Sequence, residues 1–205
     1  MQPIFLDTEF SGLQQHAQLL SLALVPQSGP WFYAVFSDVD LKALSDWHQE
    51  HVVPHLRLSE VQLQALPPGE YILGRKSEIL PRLRAYLAAF DQVVIWADVP
   101  AYDWVLFCEL FGGAFGLPKN IHYIVRDLAT LLEAKGYDID TDRFDLAYNN
   151  QGADAGARVS SADGRVQDLT PSLAPVETNE GLLQHNALGD ALACRKCHYV
   201  ISQQE

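Results

Sequence analysis

The sequence predicts an α/β domain built on a mixed β-sheet of about five strands, the first three antiparallel, flanked by α-helices. Three observations carry this. Three short apolar runs follow one another before Ser37, a β-branched run Val93-Val94-Ile95-Trp96 stands alone in mid-chain, and segments of helical periodicity separate and follow these runs.

Residues Ile4 to Asp7, Leu19 to Val25 and Trp31 to Phe36 read as strands, and the turn-like Pro26-Gln27-Ser28-Gly29-Pro30 makes the second connection antiparallel. A helix is expected from about Asp40 to Val53, where Leu41, Leu44, Trp47, His48 and His51 recur at helical spacing before Pro54. Ser59 to Leu66 reads as a short helix and Pro67-Pro68-Gly69 as a turn. The stripe Ile79, Leu80, Leu83, Tyr86, Leu87 and Phe90 then marks a helix starting near Ser77. The apolarity of Val93 to Trp96 suits a central strand covered on both faces. Tyr102 to Phe111 reads as a helix, Ile121 to Val125 as a short edge strand, and Asp127 to Lys135 as a helix closed by Gly136. Residues 148–175 are rich in Gly, Ala, Ser, Asn and Asp without apolar periodicity and read as a polar insertion. A last helix runs from about Asn186 to Ile201.

At 205 residues and 48% hydrophobic composition the chain suits a single domain, 1–205, with a substantial core. It shows no signal-peptide pattern at its start and no stretch of about 18 apolar residues. Three cysteines, Cys108, Cys194 and Cys197, are too few for a disulfide framework. These features predict a cytoplasmic protein with no membrane association. The net charge of -12 runs against polyanion binding, but residues 138–180 alone hold nine acids against Arg143, Arg158 and Arg165, which is half of the excess.

Asp7 and Glu9 stand two apart at the end of the first strand, so alternation sends both carboxylates to one face. Their repulsion is tolerable in solvent or around a divalent cation, and an isolated D-x-E is commonplace. Two further segments change its weight: WADVPAYDW after the mid-chain strand and HNALGDA opening the last helix. With FLDTEFSGL these resemble, in order, the three motifs of the DEDDh exonuclease superfamily: D-x-E on the first strand, an aromatic residue followed by Asp, and H-x-A-x-x-D. The matching positions are Asp7 and Glu9, Tyr102 and Asp103, and His185, Ala187 and Asp190. Asp98 and Val99 stand where many relatives carry His-Asn. HVVPHL from His51 and WADVPAYD from Trp96 are similar to segments of the small mycobacterial-type 3′-to-5′ exoribonucleases.

The resemblance implies a ribonuclease-H-like fold and hydrolysis of single-stranded RNA from its 3′ end, with two Mg²⁺ or Mn²⁺ ions as cofactors. Asp7, Glu9, Asp103 and Asp190 are the implied metal ligands, and two divalent ions would offset their four charges. His185 is the implied general base, and with Glu9 makes the catalytic pair. His185 and Asp190 are five residues apart, about 140° on a regular helix, so His185 is expected to precede the helix proper. Phe10 and Leu13 are expected to pack on the terminal bases, with Thr8 and Tyr102 as further substrate contacts, although core positions suit Phe10 and Leu13 equally. Arg75, Lys76, Arg82 and Arg84 form the densest basic cluster, open to phosphate binding or to a plain exposed role. The preference between RNA and single-stranded DNA stays open, as does oligomeric state, for which a homodimer is the common arrangement.

Rival readings are weaker. Cys194-Arg-Lys-Cys197-His198 fits a c-type haem attachment pattern, but no export signal accompanies it and the only methionine is Met1. Buried cysteines one helical turn apart explain it better. His48, His51 and His55 suit structural roles, since Pro54 interrupts their spacing. A non-catalytic nucleic-acid-binding relative and an acidic interaction module are the alternatives from another class, and the first would be marked by loss of a carboxylate.

Overall fold

The computed structural model describes residues 1–14, 16–149 and 181–203. Strands β1 (Gln2–Phe10), β2 (Leu19–Pro26) and β3 (Trp31–Phe36) form the expected antiparallel meander, with Asp7 opposite Ala23 and Ala23 opposite Tyr33. The remaining strands are parallel to their neighbours: β4 (Gly69–Gly74) to β3, β5 (Val93–Ala97) to β1, and β6 (Arg126–Asp127) to β5. Among the described residues the sheet has six strands in the order β4-β3-β2-β1-β5-β6. This is the ribonuclease-H-like mixed sheet that the motifs implied.

Among the described residues the α-helices are α1 (Asp46–His51), α2 (Glu60–Ala65), α3 (Lys76–Ala88), α4 (Ala101–Leu110), α5 (Leu128–Ala134) and α6 (Ala187–Ser202). The β2 strand is buried along its whole length because both sheet faces are covered. On one face Phe5, Ala23, Tyr33 and Val35 pack with Leu128, Leu132, Leu188, Leu192 and Ile201 from α5 and α6. On the other, Ile4, Leu6, Leu22 and Leu24 pack with Ile79, Leu83, Leu106 and Phe107 from α3 and α4. Among the described residues no helix is long and apolar enough to cross a membrane.

Three expectations are revised. The helix foreseen over Asp40 to Val53 is broken into a 3₁₀ turn (Leu41–Ala43), α1, and a second 3₁₀ turn (Val53–His55). Ser45 takes an extended conformation and caps α1 through its side chain, so the periodic apolar positions belong to two short pieces rather than one. The sheet gains β4, which the Pro67-Pro68-Gly69 turn and the short half-exposed run after it concealed; Gly69 is needed there because a Cβ would lie 2.0 Å from the Trp31 ring. The edge strand foreseen over Ile121 to Val125 is a single bridge from Ile121 to Val93. The chain then kinks, with the Ile124 amide donating to His122 Nδ1, and pairs again only at Arg126–Asp127. The insertion foreseen at 148–175 lies, after its first two positions, outside the described residues.

Candidate metal centre

Apolar residues on both sides of β1 hold it in the sheet, and its last residues carry the chemistry. Phe5 points into the core beneath α6, so Asp7 and Glu9, on the same side by alternation, rise toward the N-terminal end of that helix. There α6 presents Asp190 in its first turn. Asn186 caps the helix, its Oδ1 accepting from the Gly189 amide at 3.0 Å. Gly189 lets the preceding loop close over the helix, because a Cβ would stand 2.8 Å from the Leu183 carbonyl oxygen. Carboxylate oxygens of Asp7, Glu9 and Asp190 thereby all lie within 4.8 Å of one another.

These three groups are recessed, and their electrostatics follow. Burial is the largest cause holding the Asp7 carboxyl well above its usual range, followed by repulsion from Asp190, Asp103 and Glu9. Glu9 is raised by burial first and then by Asp190 and Asp103. Asp190 is pushed up to about 8, mainly by burial, although it accepts hydrogen bonds from the backbone amides of His185 and Asn186. An all-oxygen cluster of converging, desolvated carboxylates is the donor set of a hard divalent cation, and the residues present fit that group.

Asp103, the third residue of α4, stands beside this cluster, not within it. Its Oδ1 accepts from the Thr8 amide at 3.0 Å and the Thr8 hydroxyl at 2.7 Å, and both residues are buried. Burial raises the Asp103 carboxyl, with the Thr8 hydrogen bonds opposing the rise. Thr8, expected at the substrate, therefore has its hydroxyl committed to Asp103. Tyr102 donates its hydroxyl to the Leu13 carbonyl at 3.2 Å and packs on Phe10 with ring centroids 5.8 Å apart. Phe10 leans on the α3/α4 side of the core, whereas Leu13 is 74% exposed.

His185 precedes α6 in the left-handed region at φ 62°, and its ring lies edge-on to Trp47 at 5.2 Å and 6.4 Å from His51. Burial, then His51 and His55, lower its pKa, so the neutral imidazole is favoured. Trp47 stacks on His51 and is about half exposed. Trp47 carries no motif and in sequence is part of a helix stripe, whereas His51 opens the HVVPHL segment; the exposure of a tryptophan, which is invisible in sequence, is the signal that marks the pair. The HVVPHL segment has a clearer purpose. Its turn around Pro54 offers two carbonyls: Leu56 accepts from the Tyr33 hydroxyl at 2.7 Å and His55 from the Asn186 amide. Asn186 also donates to the Tyr33 hydroxyl at 3.3 Å, so the third motif is tied to β3 through buried polar groups.

The other singled-out residues lie apart from this. Cys194 and Cys197 are free and buried, and burial pushes both thiols up. In the basic cluster, Arg82 pairs with Glu70 at 2.6 Å, Arg84 lies over the Phe111 ring, and Lys76 reaches the Glu109 carbonyl. His48 bridges Ser45 and the Phe10 carbonyl.

A ribonuclease-H-like sheet with converging carboxylates at the end of its first strand and the start of its last helix defines a nuclease-class hydrolase. No protein-family model matches the chain. Two curated 3′-5′ exoribonucleases of Mycobacterium tuberculosis, from strains CDC 1551 and H37Rv, are each 31% identical to it over 134 residues, which is 64% of this chain and 74% of each relative. The chain belongs to their family, the DEDDh-type 3′-5′ exoribonucleases.

Proposed function

We propose that this chain, as one domain over 1–205, is a metal-dependent 3′-to-5′ exoribonuclease that releases nucleotides from single-stranded RNA. The observation that carries the reading is the convergence of Asp7, Glu9 and Asp190 within 4.8 Å in a recessed cluster. The named activity of the two mycobacterial relatives supports RNA as the substrate class.

Asp7, Glu9 and Asp190 would hold one Mg²⁺ or Mn²⁺, and Asp7 with Asp103 a second. Bound there, the ions supply charge neutralisation at the scissile phosphate and acidify the attacking water. The chain's own residues do the rest. Thr8 takes up Asp103 Oδ1, which leaves Oδ2 for the ligand role. His185 takes the proton of the water, a task its lowered pKa suits because the ring is unprotonated at neutral pH. Leu13, exposed a few residues beyond Glu9, and the partly buried Phe10 would line the place of the terminal bases; Tyr102 braces both.

The test is a time course on 5′-labelled single-stranded RNA and matched DNA with Mn²⁺, Mg²⁺ or EDTA, using wild type, Asp7→Ala and His185→Ala. Metal-dependent laddering from the 3′ end, abolished by both substitutions and faster on RNA, is expected. Faster laddering on DNA would move the substrate to single-stranded DNA. No cleavage with either metal would replace the enzyme by a non-catalytic nucleic-acid-binding module.

A further inference from the structure

Two non-glycine residues among those described have positive φ, Val99 at 48° and His185 at 62°. The first lies in the loop that leads into α4 and Asp103; the second is the residue assigned as base. Such conformations persist only where neighbouring contacts hold them, and for a β-branched residue like Val99 the steric penalty is largest. Each strained residue is preceded by a side chain anchored to the same short segment. Before Val99, Asp98 receives a two-pronged ion pair from Arg143, Nε to Oδ2 at 2.9 Å and Nη2 to Oδ1 at 3.1 Å. Before His185, Gln184 donates through Nε2 to Asp142 Oδ2 at 2.9 Å. Asp142 and Arg143 are adjacent in sequence.

The segment carrying them is itself fixed. Arg143 Nη1 donates to the carbonyls of Ile139 and Thr141, Asp142 Oδ1 accepts from the Asp145 amide at 2.8 Å, and Cys197 donates its thiol to the Arg143 carbonyl at 3.1 Å. The last of these explains a cysteine that no catalytic role uses: it fastens the segment to α6, the helix that carries Asp190. Arg143 is mostly buried, and its guanidinium meets the Asp98 carboxylate through one hydrogen bond from Nη2 and a close ion-pair contact at Nε, which has no hydrogen-bond partner among the described residues, so the charge pairing with the single hydrogen bond sets the orientation of Asp98.

We propose that Asp142 and Arg143 form a clasp of positioning residues that sets the loop of Asp103 and the loop of His185 relative to each other. Arg143 acts through Asp98 on one loop, and Asp142 acts through Gln184 on the other. The role assigned to the clasp rests on the exonuclease reading of the site, but the clasp itself rests on hydrogen bonds independent of that reading. Because reacting groups misplaced by about 1 Å can lose on the order of 100-fold in rate, a loosened clasp should lower kcat and leave RNA binding largely intact.

The experiment uses the full chain with Gln184→Ala, Asp142→Ala, Asp142→Asn and Arg143→Lys. Steady-state cleavage of 3′-labelled RNA is read alongside amide hydrogen exchange and thermal midpoints. Gln184→Ala and Asp142→Ala should each lower kcat by about 10- to 100-fold, with KM within about twofold, and should speed exchange at 184–190. Asp142→Asn keeps one of the two acceptor oxygens, so with that oxygen on Gln184 and the bond from the Asp145 amide lost it should restore part of kcat relative to Asp142→Ala. Arg143→Lys, which keeps the charge but loses the Nη2 hydrogen bond to Asp98 and the Nη1 bonds to Ile139 and Thr141, should speed exchange at 98–103. The Gln184→Ala and Asp142→Ala losses should not add in the double variant, since both break one link. The proposal is overturned if Gln184→Ala and Asp142→Ala keep kcat within about twofold of wild type, or if their losses vanish at a temperature where each variant is fully folded. If the wild type itself cleaves no RNA, the exonuclease reading falls, and exchange alone decides the clasp: local loosening in both loops supports it, and unchanged exchange overturns it.

Discussion

Replacing Asp190 by Asn should make the metal-free protein more stable while destroying its metal response. Burial first, and neighbouring carboxylates after it, raise the folded-state pKa of Asp190 from 3.8 to about 8. A carboxyl raised on folding holds its proton more tightly in the folded chain than in the unfolded one. Its contribution is therefore most favourable below the unfolded value and is lost as pH climbs from about 4 to about 8. At about 1.4 kcal/mol per unit a shift of this size is worth several kcal/mol. Burial is the largest cause, followed by Asp98 and Asp103, and an amide still bears part of the burial cost, so Asp190→Asn should recover roughly half of that, about 2–3 kcal/mol. In a chain of this length each kcal/mol moves the midpoint by about 2–4 °C, giving a gain of about 4–12 °C for Asp190→Asn at pH 8 in EDTA. The side chain keeps an oxygen that can accept from the amides of His185 and Asn186. At pH 4.5 the wild-type carboxyl is already protonated and the difference should shrink toward zero. In Mn²⁺ at about 100 times its Kd the wild type should gain about 2.7 kcal/mol, and the variant far less. Thermal melts of both proteins at pH 4.5 and 8, with EDTA or Mn²⁺, check every part. A variant no more stable than wild type at pH 8 in EDTA would refute the argument that these carboxylates are held together against their own repulsion.

Thr8→Val keeps the volume and removes the hydroxyl that donates to Asp103 at 2.7 Å, so the stability loss should be about 1–2 kcal/mol and cleavage should fall well beyond what that loss explains, as read by denaturant melts and RNA turnover. Asn186→Ala removes the cap of α6 and the links to His55 and Tyr33; about 2 kcal/mol should be lost in urea unfolding, with Mn²⁺ binding weakened. Gly189→Ala drives a Cβ toward the Leu183 carbonyl oxygen and should displace the loop of His185, costing about 1–3 kcal/mol in melts and most of the cleavage rate.

The three antiparallel strands, the buried β5 and the helix carrying Asp190 were all legible because each is written in local pattern: apolar runs of strand length, turn residues between them, and helical spacing. Local chemistry also overruled pattern in places. Ser45 ends one piece of helix and starts another with a side-chain hydrogen bond, and no periodicity reveals which of several serines will do so. β4 escaped notice because an edge strand is half exposed and Gly69 looks like a turn residue until Trp31 is found lying over it.

At the site, spacing along one element paired Asp7 with Glu9 and required His185 to stand off the helix, whereas Asp103 and Asp190 were marked only by the resemblance of their segments to the DEDDh motifs. Only the tertiary structure decided the division among them. Asp7, Glu9 and Asp190 converge because α6 packs across β1, whereas Asp103 is held one hydrogen bond away by Thr8. The contacts of Trp47 and His51 with His185, and the clasp from Asp98 through Arg143 and Asp142 to Gln184, join residues tens of positions apart. Spacing along a chain fixes the direction of a side chain within its own element, but a distance between elements exists only once the core has brought them together.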